Sequence, residues 1–325
     1  MALVFVHQGY SPYLEFTLRQ ARTADPEADV VLLGDADNDR FPFVRHVDAT
    51  APAYRAATAE VADVYRHYST NRASFELGCY ERWFRLRAFV EAEGLDDVLV
   101  LDSDVLLYAT EAEIRRTHLG GASLGVAHPR EQPPLGWTTS AHVSYWTRER
   151  LGDFCDYVVR SFAEAGARAR YEEKWRHHLD EGLPGGVCDM TTLYLYVTDT
   201  FGPEGAWPDE IVNLLSVRDG AAFDHNVGEA ANEWPGEYVV HGGAKAIRWE
   251  EGAPVGKNLR TGEDVRFHAL HLQGHSKARI PALYRGPGFP QQAAIRRQMT
   301  SHYRLRGLAS RLLRPVRFLV GRLKR

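Results

Sequence analysis

The sequence predicts an α/β fold in which a mostly parallel central sheet is flanked by helices. Three observations carry this. The chain opens strand–helix–strand, with Leu3-Val4-Phe5-Val6 and Val30-Val31-Leu32-Leu33 separated by a segment of helical spacing. A second amphipathic helix runs directly into another apolar strand, Val98-Leu99-Val100-Leu101. These short, continuous apolar runs have the composition of strands buried on both faces, as parallel sheets with helical crossovers require.

The elements follow in order. The first strand ends in His7-Gln8-Gly9-Tyr10. Ser11-Pro12 then forms an N-cap and N1 pair for a helix reaching about Thr23, with Leu14, Leu18 and Ala21 on one face. The second strand ends in Gly34-Asp35. Residues 36–52 form a loop around a short strand near Phe43–Val47, and a helix is expected over 54–67. Leu77 to Glu93 is a helix with Trp83, Leu86, Phe89 and Val90 as its apolar face, closed by Gly94. Further strands are expected at Ser123–His128, Ala141–Trp146 and Arg266–Leu272. Helices are expected over Glu149–Ala165 and from Asp189, whose side chain is placed to cap it. No G-x-G-x-x-G follows the first strand, so the usual dinucleotide fingerprint is missing.

The chain has 325 residues, 44% of them hydrophobic and 25% charged, enough for an ample core. No apolar run approaches the ~20 residues that span a bilayer, and the first residues show no signal-peptide pattern. Cys79, Cys155 and Cys188 are too scattered for a zinc ribbon or a disulfide framework, which points to a reducing, cytoplasmic compartment. Charge is unevenly spread. Residues 265–325 hold 14 of the 39 Lys and Arg and none of the 43 Asp and Glu, leaving a formal −18 on the rest. An acidic body with a basic end suggests that the end meets an anionic surface.

Chemistry concentrates at Leu101-Asp102-Ser103-Asp104. Two carboxylates at the end of a buried strand are costly unless a cation meets them. In an extended chain they project to the same side and could share one divalent ion. Arg82 and Arg85, on the preceding helix, would ordinarily be solvated; the functional alternative is a phosphate contact near the strand end, with Arg85 the candidate.

The strand–helix–strand opening and the Asp-x-Asp strand end resemble a GT-A glycosyltransferase with a Rossmann-like sheet. The late His271-x-x-Gly274-x-x-Lys277 resembles the H-x-x-G-x-x-K element of family 8 glycosyltransferases, the glycogenin and bacterial lipopolysaccharide galactosyltransferase group. The resemblance covers roughly residues 2–280. It implies that Asp102, Asp104 and His271 hold Mn²⁺ or Mg²⁺, and that Lys277 and Gly274 meet the diphosphate of a UDP-sugar. Ser103 would touch the ribose, and His7, Gln8, Gly9, Tyr10 and Asp35 would line the nucleotide. Asp189 falls where that family carries Asp-Gln-Asp, but the segment here is Cys188-Asp189-Met190-Thr191. Asp189 would orient sugar hydroxyls, which suits retention, or act as a base, which suits inversion; retention is the expectation. His142 and Trp146 are candidates for acceptor contact. His268 and His275 flank His271, but a structural zinc site is not expected without a cysteine partner.

The expected organisation is a glycosyltransferase domain over 1–285 and a basic helical tail over 286–325. In the tail, Leu308, Leu312, Leu313, Val316, Leu319, Val320 and Leu323 share one side of a helical wheel and Arg311, Arg314, Arg317, Arg322 and Lys324 the rest. This is the pattern of an interfacial helix on an anionic membrane, reached here by residues 300–325. The expected partners are therefore a nucleotide sugar, a saccharide or glycolipid acceptor and the inner face of the plasma membrane. Nucleic acid is not expected, because the tail lacks interleaved aromatics. The rival readings are a haloacid-dehalogenase-like phosphatase, which also places Asp-x-Asp after a strand, and a non-catalytic scaffold docked at a membrane.

Overall fold

The structure is a computed structural model and describes residues 1–303. The amphipathic stretch from Leu308 to Lys324 lies outside the described residues. The chain begins β1 (Ala2–Val6), α1 (Leu14–Ala24), β2 (Asp29–Gly34) and β3 (Arg45–Asp48). Two short helices, α2 (Pro52–Ala57) and α3 (Ala59–Val64), follow, and then α4 (Ala73–Ala92) leads into β4 (Asp97–Leu101) and β5 (Val105–Leu107). The middle of the chain supplies α5 (Glu111–Ile114), β6 (Leu124–Ala127), β7 (Ser140–Thr147), α6 (Arg148–Ala163), α7 (Ala165–Asp180) and α8 (Asp189–Phe201). Short strands β8 (Ile211–Asn213), β9 (Ala221–Phe223), β10 (Val240–His241), β11 (Ala244–Lys245) and β12 (Arg248–Glu250) precede β13 (Ala253–Lys257) and β14 (Asp264–His271). A 3₁₀ turn (Gly274–Arg279), α9 (Ile280–Leu283) and a helix over 292–303 complete the described chain.

The expected α/β fold is the observed one. The central sheet has seven strands in the order β3-β2-β1-β4-β7-β6-β8. All run the same way except β7, which is antiparallel to both β4 and β6. Alternation in β1 sends Leu3 and Phe5 into one core and Ala2 and Val4 into another, so the sheet is buried on both faces. A second sheet, β12-β13-β14-β5, stands beside the first, with β9 parallel to β14.

Local expectations shift in instructive ways. Ser11 does not cap α1 with its side chain; its carbonyl accepts from Leu14 N–H (3.0 Å), and the helix starts after one turn. The helix expected over 54–67 breaks at Thr58 into α2 and α3. The α4 helix begins one turn early, at Ala73, because buried Glu76 gathers the Ser69 hydroxyl (2.8 Å) and the Asn71 amide (2.7 Å) at its start. Beyond Tyr284, Phe289 packs edge-on against Phe16 (5.3 Å) and Met299 is buried in the same core. No helix among the described residues is long and apolar enough to cross a membrane.

One buried cation shapes the wall of the site described below. Lys174 of α7 is 3% exposed and donates to the carbonyls of Gly136 (2.6 Å) and Trp137 (3.3 Å) and to the Thr191 hydroxyl (3.0 Å). It pins a loop in which Leu135 and Trp137 both take positive φ, a costly conformation for residues with side chains. Lys174→Met should therefore cost about 1–3 kcal/mol, read by chemical denaturation, because it strands buried acceptors. Burial brings the Lys174 ammonium down to about 8, so the unfolded chain binds more protons between that value and the ordinary ~10.4. Stability from this group rises with pH across that window, and the rise should vanish in Lys174→Met.

Candidate active site

β4 ends at Leu101, and Asp102-Ser103-Asp104 is a tight turn closed by Val105 N–H donating to the Asp102 carbonyl (3.0 Å). This corrects the expectation that strand alternation aligns the two carboxylates. The turn carries the chain from the central sheet into β5 of the second sheet, and a change of sheet is incompatible with a continuing extended strand. The second sheet supplies the third group. In the β5–β14 pairing His271 lies opposite Val105, and Leu272 N–H donates to the Asp104 carbonyl (3.1 Å). One ligand atom each from Asp102, Asp104 and His271 fall within 4.8 Å of one another. A one-residue slip of β14 would present an apolar side chain instead.

The imidazole of His271 is oriented from behind. Its Nδ1 meets the His225 carbonyl (2.6 Å), which turns Nε2 toward Asp104 Oδ1 (3.6 Å). Its backbone N–H donates to Asp224 Oδ2 (3.1 Å), and Asp224 Oδ1 accepts from Lys245 Nζ at 2.5 Å in a fully buried pair. The His142 ring stacks on His271 with centroids 4.2 Å apart and planes 7° from parallel. His142 is thus a buried support and not an acceptor contact. Burial, together with the neighbouring His271, keeps it neutral. Trp146 is also corrected: it is fully buried among Trp83 and Phe154, with its N–H donating to Ser144.

Two cations meet the two carboxylates. Lys277 Nζ lies 3.0 Å from Asp104 Oδ2 and 5.1 Å from the Tyr13 ring centroid. Burial alone would push the Asp104 carboxyl up, but the facing His271 imidazole and the Lys277 ammonium hold it at about 2. Burial lowers and Asp104 raises the proton affinity of His271, and the rise prevails. Arg82 donates to Asp102 Oδ1 (2.7 Å) and Asp189 Oδ2 (2.6 Å), and Trp83 Nε1 adds a bond to Asp189 (3.1 Å). Arg85, the candidate phosphate contact, instead pairs with Glu81 on its own helix (2.8 Å). Asp189 is not the cap of α8: Cys188 precedes the helix as N-cap, and Asp189 is drawn toward Arg82 with only Met190 N–H on its other oxygen.

The first strand end forms a neighbouring rim. Gly9, at φ +72°, donates its N–H to Asp35 Oδ2 (2.7 Å), and Asp35 Oδ1 accepts from Asp37 N–H and the Asn38 amide. Asp35 thus holds the 7–10 loop. His7 is pressed edge-on to Tyr13, and burial with the Lys277 charge brings its imidazole down to about 4, so it is neutral at pH 7. The Ser103 hydroxyl meets the Tyr13 hydroxyl (3.3 Å), Arg40 covers the half-exposed Tyr10 ring at 4.4 Å, and Gln8 is exposed. Gly274 takes φ +57°, a left-handed turn that admits glycine and lets the chain return Lys277 to Asp104.

Two cavities meet at Lys277. One, of about 720 Å³, is bounded by Tyr10, Tyr13, Gly274 and the 292–303 helix through Met299 and His302. The other, of about 960 Å³, holds Asp102, Asp104, Asp189 and His271 and is walled by the 129–138 loop. His275 borders the first, whereas His268 is buried against Thr117 (2.9 Å) and His118. Neither joins the Asp102–Asp104–His271 group. Asp224, His225 and Lys245 escaped sequence reading. Asp224-His225 does follow the apolar run Ala221–Phe223 as Asp102 follows Leu101, and that repeated strand-end signal could have flagged it.

The residues present suit a divalent ion. Two carboxylates and one imidazole with its far nitrogen hydrogen-bonded form an oxygen–nitrogen donor set compatible with Mn²⁺.

No protein-family model matches the sequence, and no curated protein matches it significantly. Among solved structures, mouse xyloside xylosyltransferase 1 in its apo form is 12% identical, with 62% of this chain and 83% of that one covered at a TM-score of 0.37. Galactosyltransferase LgtC in complex with donor and acceptor sugar analogues is 16% identical, covering 60% and 70% at 0.33. The glycosyltransferase GlyE of Streptococcus pneumoniae is 16% identical, covering 70% and 47% at 0.33. These overlaps are too loose to carry fold or activity across, so the functional reading rests on this chain's own residues.

Proposed function

We propose that this protein is a metal-dependent GT-A-type glycosyltransferase, moving a hexose from a UDP-sugar to a saccharide or lipid-linked acceptor. The observation that supports it most is the convergence of Asp102, Asp104 and His271 where two cavities join, with Lys277 held on Asp104. The smaller cavity suits the nucleoside, between the 7–10 loop and Gly274. The larger suits the sugar and its acceptor. A bound Mn²⁺ or Mg²⁺ would offset the charge that grows on the leaving UDP.

The protein groups divide the remaining work. Lys277 is within reach of both cavities and adds positive charge where the diphosphate would lie. Arg82 ties Asp102 and Asp189 together side by side. One Asp189 oxygen is already occupied by the Arg82 guanidinium and the Trp83 indole N–H, which favours the sugar-orienting role for Asp189 and supports retention. The phosphatase alternative needs an uncommitted aspartate nucleophile, whereas both carboxylates here are engaged by cations.

The test is calorimetry with UDP, GDP and CMP, each with and without Mn²⁺. UDP is expected to bind in a metal-dependent manner, and failure of every nucleotide to do so would sink the proposal. We further assign residues 300–325 to an anionic membrane surface, on the charge pattern of the sequence. Deleting 304–325 should abolish sedimentation with anionic liposomes, and unchanged sedimentation would reject that role.

A further inference from the structure

A third cavity, of about 320 Å³, shares the loop after β6 with the metal-ligand cavity. His128 and Arg130 line it, whereas the intervening Pro129 and the following Glu131 line the cavity that holds Asp102 and Asp189. Its remaining walls include three half-buried rings, Tyr194, Trp207 and Trp234. His128 stacks on Tyr194 (5.6 Å, 12°) and meets Trp207 edge-on (5.3 Å), and Arg130 lies over Trp234 (5.4 Å).

Glu204 points to a ligand. Its side chain is only 9% exposed, and Oε1 accepts from the Asn213 amide (2.7 Å). Oε2 is buried and has no hydrogen-bond partner among the described residues. It stands 4.0 Å from His128 Nε2, too far for a hydrogen bond, while His128 Nδ1 is engaged with the Thr139 hydroxyl (2.8 Å). An unpaired buried carboxylate oxygen is costly, and a donor from outside would relieve it. A hydroxyl both donates and accepts, so one hydroxyl can donate to Oε2 and accept from Nε2–H. Arg130 is shared between Glu233 (2.5 Å) and Glu204 (3.4 Å), so its single positive charge faces two carboxylates and an anion is disfavoured. Aromatic faces beside a few fixed polar groups, in a volume near the lower end for small-molecule sites, fit a ring that is apolar on its faces and hydroxylated at its edge.

We propose that this cavity is an accessory binding site for a neutral saccharide, with Glu204 and His128 as its polar contacts. Binding here does not require the transfer reaction; where the glycosyltransferase reading holds, the ligand is a remote part of the acceptor glycan.

The test titrates the full chain, without nucleotide or metal, with lactose, maltose, cellobiose and chitobiose, followed by tryptophan fluorescence and saturation-transfer NMR. At least one disaccharide should bind saturably. Glu204→Gln retains the shape and the Asn213 bond but turns the acceptor at Oε2 into a donor, and should weaken binding about tenfold. Trp207→Phe, checked for an unchanged melting curve, should weaken it as well. Asp104→Asn should leave it intact. Absence of saturable binding by all four sugars, or equal binding by Glu204→Gln, overturns the proposal. Loss of binding in Asp104→Asn would place the sugar in the metal-ligand cavity and overturn it too. If the unmodified protein binds a saccharide but none of UDP, GDP and CMP in the presence of Mn²⁺, the transferase reading fails and this one stands.

Discussion

Asp104→Asn should bind UDP no better with Mn²⁺ than without it, and its turnover should fall by roughly a hundred- to a thousandfold. Asp104 is the member of the site that faces both His271 Nε2 (3.6 Å) and Lys277 Nζ (3.0 Å). An amide keeps the size but loses the charge, so it removes an anionic ligand and releases Lys277 together. Calorimetry of UDP with and without Mn²⁺ separates the two effects, and a variant that retains metal-dependent binding would show that Asp104 is not a ligand. The acid side offers a second readout. Because the folded carboxyl sits at about 2, below the ordinary ~3.9, it contributes stability at neutral pH that is lost as pH falls through that interval. That part of the acid loss should be missing in Asp104→Asn.

Lys245→Met should destabilise the fold by about 3–5 kcal/mol, the usual cost of leaving one charge of a buried pair alone. Lys245 and Asp224 have side-chain exposures of 1% and 0%. The ammonium also donates to the carbonyls of Asn226 (3.1 Å) and Ala231 (2.8 Å), so its removal strands several acceptors. The effect should reach the site, because Asp224 also accepts the His271 backbone N–H. Denaturant unfolding reads the first consequence and Mn²⁺-dependent UDP binding the second. The double variant Lys245→Met/Asp224→Asn should recover part of the stability, since it removes the stranded charge. If the single variant loses less than about 1 kcal/mol, the pair is not the buried anchor described here.

Much of the scaffold was legible because it is local. The strands β1, β2 and β4 announce themselves as short runs of branched apolar residues, and the crossover helices between them by their spacing. The boundaries moved where a side chain from elsewhere intervened, as Glu76 does for α4. The Asp-x-Asp stretch was recognisable for the same local reason, a carboxylate pair at the end of a buried run. Its geometry was not, since the turn that folds Asp102 and Asp104 together belongs to a change of sheet that the residues 102–104 do not encode alone.

Choices between equivalent residues lay beyond the sequence. Arg82 and Arg85 are three positions apart on one helix, and only the docking of α4 beside the start of α8 turns Arg82 toward Asp102 and Asp189 and leaves Arg85 to Glu81. Asp189 looked like a cap until Arg82 claimed its carboxylate. His142 looked like an acceptor contact until the pairing of β7 with β4 placed it behind His271. By itself the sequence determined the strands β1, β2 and β4, the helices α1 and α4 and the carboxylate pair at Asp102 and Asp104, because burial pattern and spacing are properties of neighbours along the chain. Only the tertiary structure decided which histidine, which arginine and which lysine meet that pair, because the β5–β14 register and the packing of α4 on α8 join residues that lie more than a hundred positions apart.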